Sequence, residues 1–319
     1  QIKGGSKFME SVHKGQQKSK NKGQENKIRK NKRLKDSLTF WAFVGPSLLA
    51  FVVVVLIPLL LGIYYSFTDW NGIGNSAQFI GLENYVKVFA DEGFKQSFGF
   101  TVKFTLASIV VINFLGFTLA LLVTRESKIS NPLRTVFFMP NLIGGLILGF
   151  IWQFIFVNVF NGLGQALNQT WMMGWLSNEK TGFWGLVILT AWQMAGYVMV
   201  IYVAGLQNVP PELNEAAKID GASPLQRIRL ITFPMVRPAF TVSLFLTLSN
   251  SFKLFDQNLA LTNGGPGNAT QMLALNIYQT AFSYNKMSLA QAKAVIFFIL
   301  VAVIALTQVY LTKKGEVEA

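Results

Sequence analysis

Six apolar runs, each near the length needed to cross a bilayer, constrain this chain more than any other feature: about 39–67, 100–124, 136–159, 183–207, 239–261 and 292–311. A hydrocarbon core of about 30 Å takes about 20 apolar residues per helix. No backbone polar group can be left unpaired at that depth. The runs therefore predict an all-α membrane protein of six transmembrane helices. Composition agrees, with 51% hydrophobic and only 13% charged residues in a chain of 319, against about 25% charged in soluble domains. Pro58 falls inside the first run and predicts a kink there. That run is too long for the apolar region of a cleavable signal and lacks a small-residue cleavage site.

The net charge of +13 is concentrated at one end. Residues 1–36 hold 12 of the 28 lysines and arginines and 3 of the 15 carboxylates, so they carry +9 of it. This tail has almost no large apolar residue and is expected to be disordered. Such a tail can bind nucleic acid, but beside membrane spans it suits anionic lipid better, and no nucleic-acid role is expected. Basic residues also set orientation. With the amino terminus in the cytoplasm, cytoplasmic segments hold 21 of them, including Arg125, Lys128, Arg134, Lys218, Arg227, Arg229, Arg237, Lys313 and Lys314. The outer segments hold four, Lys87, Lys95, Lys180 and Lys286. Both termini and the 208–238 loop are expected in the cytoplasm, with one six-span domain over 37–319.

Cysteine is absent and the one histidine, His13, is in the tail. Disulfides, thiolate metal sites and cysteine nucleophiles are excluded, and histidine catalysis has no basis. No GxxxxGK[ST] phosphate loop is present. The chain is expected to be no enzyme and to carry no metal or cofactor of its own.

The 208–238 loop is patterned like a structured element. Pro210 and Pro211 suit a helix start, and Glu212 and Glu215 complement its positive dipole end. Leu213, Ala216, Ala217 and Asp220 share a face at helical spacing, kept shallow by the two alanines. Gly221 supplies a permissive turn. Ser223-Pro224 then reads as an N-cap and first turn of a second helix, expected to stop before Pro234. A helix pair with an exposed small-residue face predicts a docking element.

Polar residues inside spans are costly and mark pathways or helix–helix bonds. Thr190, Gln193, Met194 and Tyr197 recur at i, i+3, i+4, i+7 in the fourth run; Thr247, Asn250, Ser251 and Leu254 do so in the fifth. Amide, hydroxyl and aromatic groups together suit a sugar, whose hydroxyls need polar partners and whose C–H faces stack on rings. Asn113 and Gln153 are expected to bond neighbouring helices. Lys253 and Asp256, spaced i, i+3, are expected to form a structural ion pair.

EAAKIDGASPLQRIRLITFPMVRP, from Glu215, resembles the EAA loop of permease subunits of binding-protein-dependent ABC importers. GPSLLAFVVVVLIPLLLGIYYSFTDWNG, FIGLENYVKVF, FFMPNLIGGLILGFIWQFIF and FDQNLALTNGGPGNAT resemble the sugar-importer permeases of the maltose and glycerol-3-phosphate type. The likeness runs from about residue 39 to the carboxyl terminus. It implies the type I importer permease fold, here with six spans rather than the maltose permease's eight and without a large inserted outer domain. It implies that Glu215, Ala216, Ala217, Asp220 and Gly221 dock on a cytoplasmic ATPase that holds ATP and Mg. The implied partners are a second, similar permease subunit, an ATPase dimer, an extracytoplasmic solute-binding protein and a sugar. Aligned without gaps from the EAA loop, Tyr197 matches a sugar-contacting position of the maltose permease in type. Thr190, Gln193, Met194, Thr247, Asn250 and Ser251 match in position but differ in type. Gly264, Gly265 and Pro266 would contact the binding protein or gate the outer mouth. The competing reading is an ion-coupled secondary transporter, which calls for carboxylates within spans; Asp256 is the one clear candidate.

Overall fold

The computed structural model of the protein describes residues 35, 38–74, 77–124 and 128–313. Nearly all of the basic tail, and with it Arg125 and Lys314, lies outside the described residues. The chain divides into two compact units between Gly62 and Ile63. The first unit is helical where described, and its helix α1 (Leu38–Ser66) runs on across the division. Pro58 is accommodated by a π turn over Val52–Leu56, in which the Ile57 N–H bonds to the Val52 carbonyl. The wider turn makes room for the proline ring, whose missing N–H leaves a carbonyl of the preceding turn without its usual donor.

Among the described residues the second unit is helical apart from its loops and one isolated antiparallel bridge, Thr68 with Phe79. Helix α2 (Glu83–Ala90) precedes α3 (Glu92–Val123). The α3 helix starts eight residues before the expected run because the Asp91 side chain accepts from the Phe94 N–H at 3.1 Å and so caps it. The expected third span at 136–159 is broken. Helix α4 (Ser130–Phe138) ends in a 3-10 turn at Met139–Leu142, and α5 (Gly145–Ala166) follows. Pro140 removes an amide at the break, and Gly144 is extended. Helix α6 (Glu179–Gln207) is capped by Asn178. The loop helices are α7 (Pro211–Ile219) and α8 (Pro224–Met235), the latter bent 74° from α9 (Arg237–Phe252).

Helix α8 does not stop before Pro234 as expected. A π turn over Ile228–Thr232 lets the Phe233 N–H reach the Ile228 carbonyl, so the helix passes through the proline, as at Pro58. The fifth run, expected to be continuous over 239–261, ends at Phe252. After Lys253, Leu254 and Phe255 the short α10 (Asp256–Leu261) begins. Helices α11 (Leu273–Phe282) and α12 (Met287–Lys313) complete the chain. Five described helices are long and apolar enough to cross a bilayer, or six with α8 and α9 taken as one bent span.

Helix α6 is central to this unit: 72% of its most apolar stretch is buried, against 6% for α12. It packs along α3, with α9 against both. Small residues permit the close crossings. A Cβ on Gly116 would meet Val198 Cγ1 at 2.6 Å, and one on Gly196 would lie 1.8 Å from the Phe137 carbonyl oxygen. Asn113 knots three helices together. Its Oδ1 accepts from Tyr202 Oη at 2.8 Å and from Ser243 Oγ, and its Nδ2 donates to Thr247 Oγ1 at 3.1 Å. Gln153 likewise bonds a neighbouring helix, donating to the Leu261 carbonyl at 3.2 Å. Lys293 of α12, 2% exposed, pairs with Asp91 Oδ2 at 2.7 Å and donates to Asn276 Oδ1 and Thr280 Oγ1. A buried cation is tolerable only with such full pairing, and here it ties α12 to α11 and the start of α3. Burial alone would push the Asp91 carboxyl up. The Lys293 hydrogen bond and charge, with the Phe94 and Gly93 amides, outweigh it and hold the group below the ordinary aspartate value.

Candidate functional site: a polar cavity at two helix breaks

Along α6 two apolar clusters adjoin. One is built around Phe104, Leu186, Leu189 and Leu261, the other around Ile112, Val198, Met199 and Tyr202. At their junction a cavity of about 440 Å³ opens, lined by Thr190, Gln193, Met194 and Tyr197 of α6 and by Asn250 of α9. The rest of the lining comes from the two breaks: Asn141 from the turn after α4, and Lys253, Leu254, Phe255, Asp256 and Gln257 from the turn after α9. Non-helical backbone at membrane depth is tolerated where it faces a cavity, and paired broken helices mark binding sites in transporters.

Five of the seven proposed pathway residues thus face one cavity, and two do not. Thr247 and Ser251 are fully buried. Thr247 is held in the Asn113 knot, donating to the Ser243 carbonyl, while the Ser251 hydroxyl has no partner among the described residues. Both lie on the side of α9 turned into the bundle, next to the edge where Asn250 meets the cavity. Lys253 and Asp256 form no ion pair with each other among the described residues. Both are exposed at the cavity instead, because the helix ends between them and the i, i+3 register is lost. Asn141, Phe255 and Gln257 had not been singled out. The signal for Asn141 is its position directly after Pro140, where a helix is bound to break.

The hydrogen-bonding groups of the lining differ in availability. The Thr190 hydroxyl is buried and makes no hydrogen bond among the described residues, so its donor and acceptor are uncommitted just behind the wall. The Gln193 amide is already engaged: Nε2 donates to the Ile143 carbonyl at 3.1 Å, and Oε1 accepts from Gln257 Nε2 at 2.8 Å. Tyr197 supplies a ring and a hydroxyl.

Helix α6 leads from the cavity straight to the loop: Gln207 ends it and Pro211 begins α7. Gly221 has φ +79°, a left-handed conformation within the turn expected there. Ser223 caps α8 reciprocally with Gln226, at 3.3 and 2.8 Å. Glu215, Ala216, Asp220 and Gly221 are exposed and Ala217 is half-buried. Glu215 and Asp220 make no ion pair or side-chain hydrogen bond among the described residues, so both carboxylates are free for a partner. Three apolar residues stand out around them, Leu213 44%, Ile219 86% and Leu225 75% exposed.

In the glycine-rich loop, Gly264 is buried against Gln271, Gly265 is half-buried, and Pro266 is exposed after a cis bond. Of the three, only Pro266 projects toward solvent. An amide chain runs back from this loop to the Lys293 pair. Gln279 donates to Asn263 at 3.4 Å, Gln271 to Gln279 at 2.6 Å, and Asn276 to Gln271 at 2.8 Å.

Residues 112–315 match the family model of binding-protein-dependent transport system inner membrane components. The chain belongs to this family. A probable starch degradation products transport system permease protein, AmyD, of Thermoanaerobacterium thermosulfurigenes is 59% identical over 290 residues, covering 91% of this chain and 99% of the relative. The multiple sugar-binding transport system permease protein MsmF of Streptococcus mutans is 33% identical over 281 residues, covering 87% and 96%. In fold, the chain is similar to a chain in the crystal structure of a bacterial ABC transporter involved in the import of alginate. The TM-score is 0.78 at 20% identity, over 90% of this chain and 99% of that one. This inner membrane component is thus a multi-pass transport subunit rather than an enzyme. Membership of a binding-protein-dependent family also overturns the ion-coupled reading, and Asp256 needs no role as an ion carrier.

Proposed function

We propose that this subunit forms half of the translocation pathway of an ATP-driven importer for sugars or short oligosaccharides. The observation that carries the reading is the polar cavity at the two helix breaks, joined by one helix to an exposed docking loop. Its volume of about 440 Å³ is within the roughly 300–1,000 Å³ usual for small-molecule sites. Its lining offers amides, a free hydroxyl and aromatic rings, the groups that recognise a sugar. Relatives named for starch degradation products and for multiple sugars support the cargo class.

In this reading both termini and α7–α8 lie in the cytoplasm, as the lysine and arginine asymmetry favours. Glu215, Ala216, Ala217, Asp220 and Gly221 meet a separate ATPase that binds ATP and Mg. The shallow alanine face admits close approach, the free carboxylates meet basic groups, and Leu213, Ile219 and Leu225 fill apolar hollows. A second, similar permease subunit completes the pathway. A solute-binding protein delivers the sugar at the opposite face, where Pro266 projects. ATPase closure moves the loop, and α6 carries the displacement to the cavity wall. The test is the Glu215→Gln, Gly221→Val double variant in the complete transporter. Sugar uptake should be lost while the subunit still inserts and assembles; uptake at the unaltered rate overturns the coupling role.

A further inference from the structure

We infer that Gln193 is a latch that holds the pathway closed on one side, rather than primarily a sugar ligand. The inference rests on the transport reading above but concerns a different step. Gln193 is 8% exposed and its amide bridges both helix breaks at once. Nε2 holds the Ile143 carbonyl, in the break between α4 and α5, and Oε1 holds Gln257, at the start of α10 beyond the break after α9. One side chain on the central helix therefore ties together the two segments whose backbone is interrupted.

What lies beyond the breaks packs as one block. Helix α10 lies on α5 across Gly145 and Gly149, whose spacing of four puts them on one face. A Cβ on Gly145 would come 2.8 Å from Asp256 Cβ, and one on Gly149 would come 2.5 Å from Ala260 Cβ. Gln153, one turn further, donates to the Leu261 carbonyl at 3.2 Å. The α5–α10 block thus has its own internal fastening. At the cavity level the hydrogen bonds that tie it and its adjoining break to α6 among the described residues are the two made by Gln193. Cutting them removes the polar tether at the breaks at 139–144 and 253–255 and leaves the block held to α6 by the apolar contacts of Leu148, Phe156 and Leu261 with Leu186 and Leu189, a non-directional surface along which it can shift. The latch faces the cavity, so an entering hydroxyl can take the place of the Gln257 amide on Gln193 Oε1 and release the block as cargo arrives. By reciprocity, whatever eases the opening also eases the ATPase closure coupled to it.

The experiment is ATP hydrolysis by the complete transporter in liposomes, without binding protein or sugar, alongside uptake of labelled maltotriose with both present. Gln257→Asn keeps the polarity and fits the space but is one methylene too short to reach Gln193. With Gln257→Leu, it should raise unstimulated hydrolysis about three- to tenfold, the shift expected for loss of an interhelical hydrogen bond. Combining Gln193→Leu with Gln257→Leu should add little beyond Gln193→Leu alone, since Gln193→Leu already removes the Gln257 bond. Gln193→Glu retains the Gln257 bond and loses the Ile143 bond, so its effect should be intermediate. Unstimulated hydrolysis equal to that of the unaltered transporter in Gln257→Asn and Gln257→Leu overturns the latch, whatever uptake does. Raised hydrolysis upholds the latch even if the unaltered transporter takes up no maltotriose, an outcome that would count against that cargo alone.

Discussion

Gly196→Ala is the severest single-atom test of the packing that shapes the cavity. The added Cβ would lie 1.8 Å from the Phe137 carbonyl oxygen, 2.4 Å from its carbon and 2.9 Å from the Phe138 nitrogen. All three are backbone atoms at the end of α4, so no rotamer change relieves the clash. Overpacking typically costs about 1–3 kcal/mol, and a rigid backbone obstacle puts this site at about 3 kcal/mol. At about 2–4 °C per kcal/mol for a domain of this size, the apparent Tm of the detergent-purified protein should fall by about 6–12 °C. Gly99→Ala and Gly162→Ala are controls, because nothing lies within 4 Å of a Cβ at either. The α4–α6 crossing precedes the turn that presents Asn141 to the cavity, so the Gly196 variant should also lose uptake beyond its loss of protein. A Gly196→Ala protein as stable as Gly99→Ala would refute the close crossing.

Asn113→Leu removes the acceptor shared by Tyr202 and Ser243 and should cost about 2–3 kcal/mol, as two buried hydroxyls are stranded; thermal unfolding checks it, and a loss under about 0.5 kcal/mol would contradict the knot. The Asp91–Lys293 pair predicts an acid-side effect. Its folded-state carboxyl lies below the ordinary value, so the stabilisation is fully present above about pH 4 and is lost as pH falls through the depressed value. Asp91→Asn should lower stability at neutral pH and flatten the fall in Tm below about pH 4; parallel pH profiles for variant and unaltered protein would count against the pair.

The helical membrane class was legible in the sequence because bilayer burial writes itself into long apolar runs. The loop was legible because Pro211, Gly221 and Ser223 each force a local backbone choice whatever surrounds them. The helix breaks were less so. Pro140 lies in an otherwise apolar stretch that reads as one span. The turn after Phe252 depends on Lys253 and Asp256 facing a cavity that exists only once α5, α6 and α9 assemble. For the same reason their i, i+3 spacing suggested an ion pair that requires a helix not formed there. Thr247 and Ser251 share a polar face with Asn250, but the rotation of α9 against α3 turns them into the bundle, and periodicity alone does not fix that rotation. The π turn before Pro234 likewise replaces an expected helix end with a wider helical turn.

The claim that the cavity is the sugar's path is tested most directly by ATP-driven uptake of labelled maltooligosaccharide into liposomes holding the complete transporter with Tyr197→Ala or Asn250→Ala. Uptake should fall about tenfold or more, a rise of about 1.4 kcal/mol in the transport barrier, with sugar affinity of the binding protein unchanged. Transport at the unaltered rate in both variants would contradict the account.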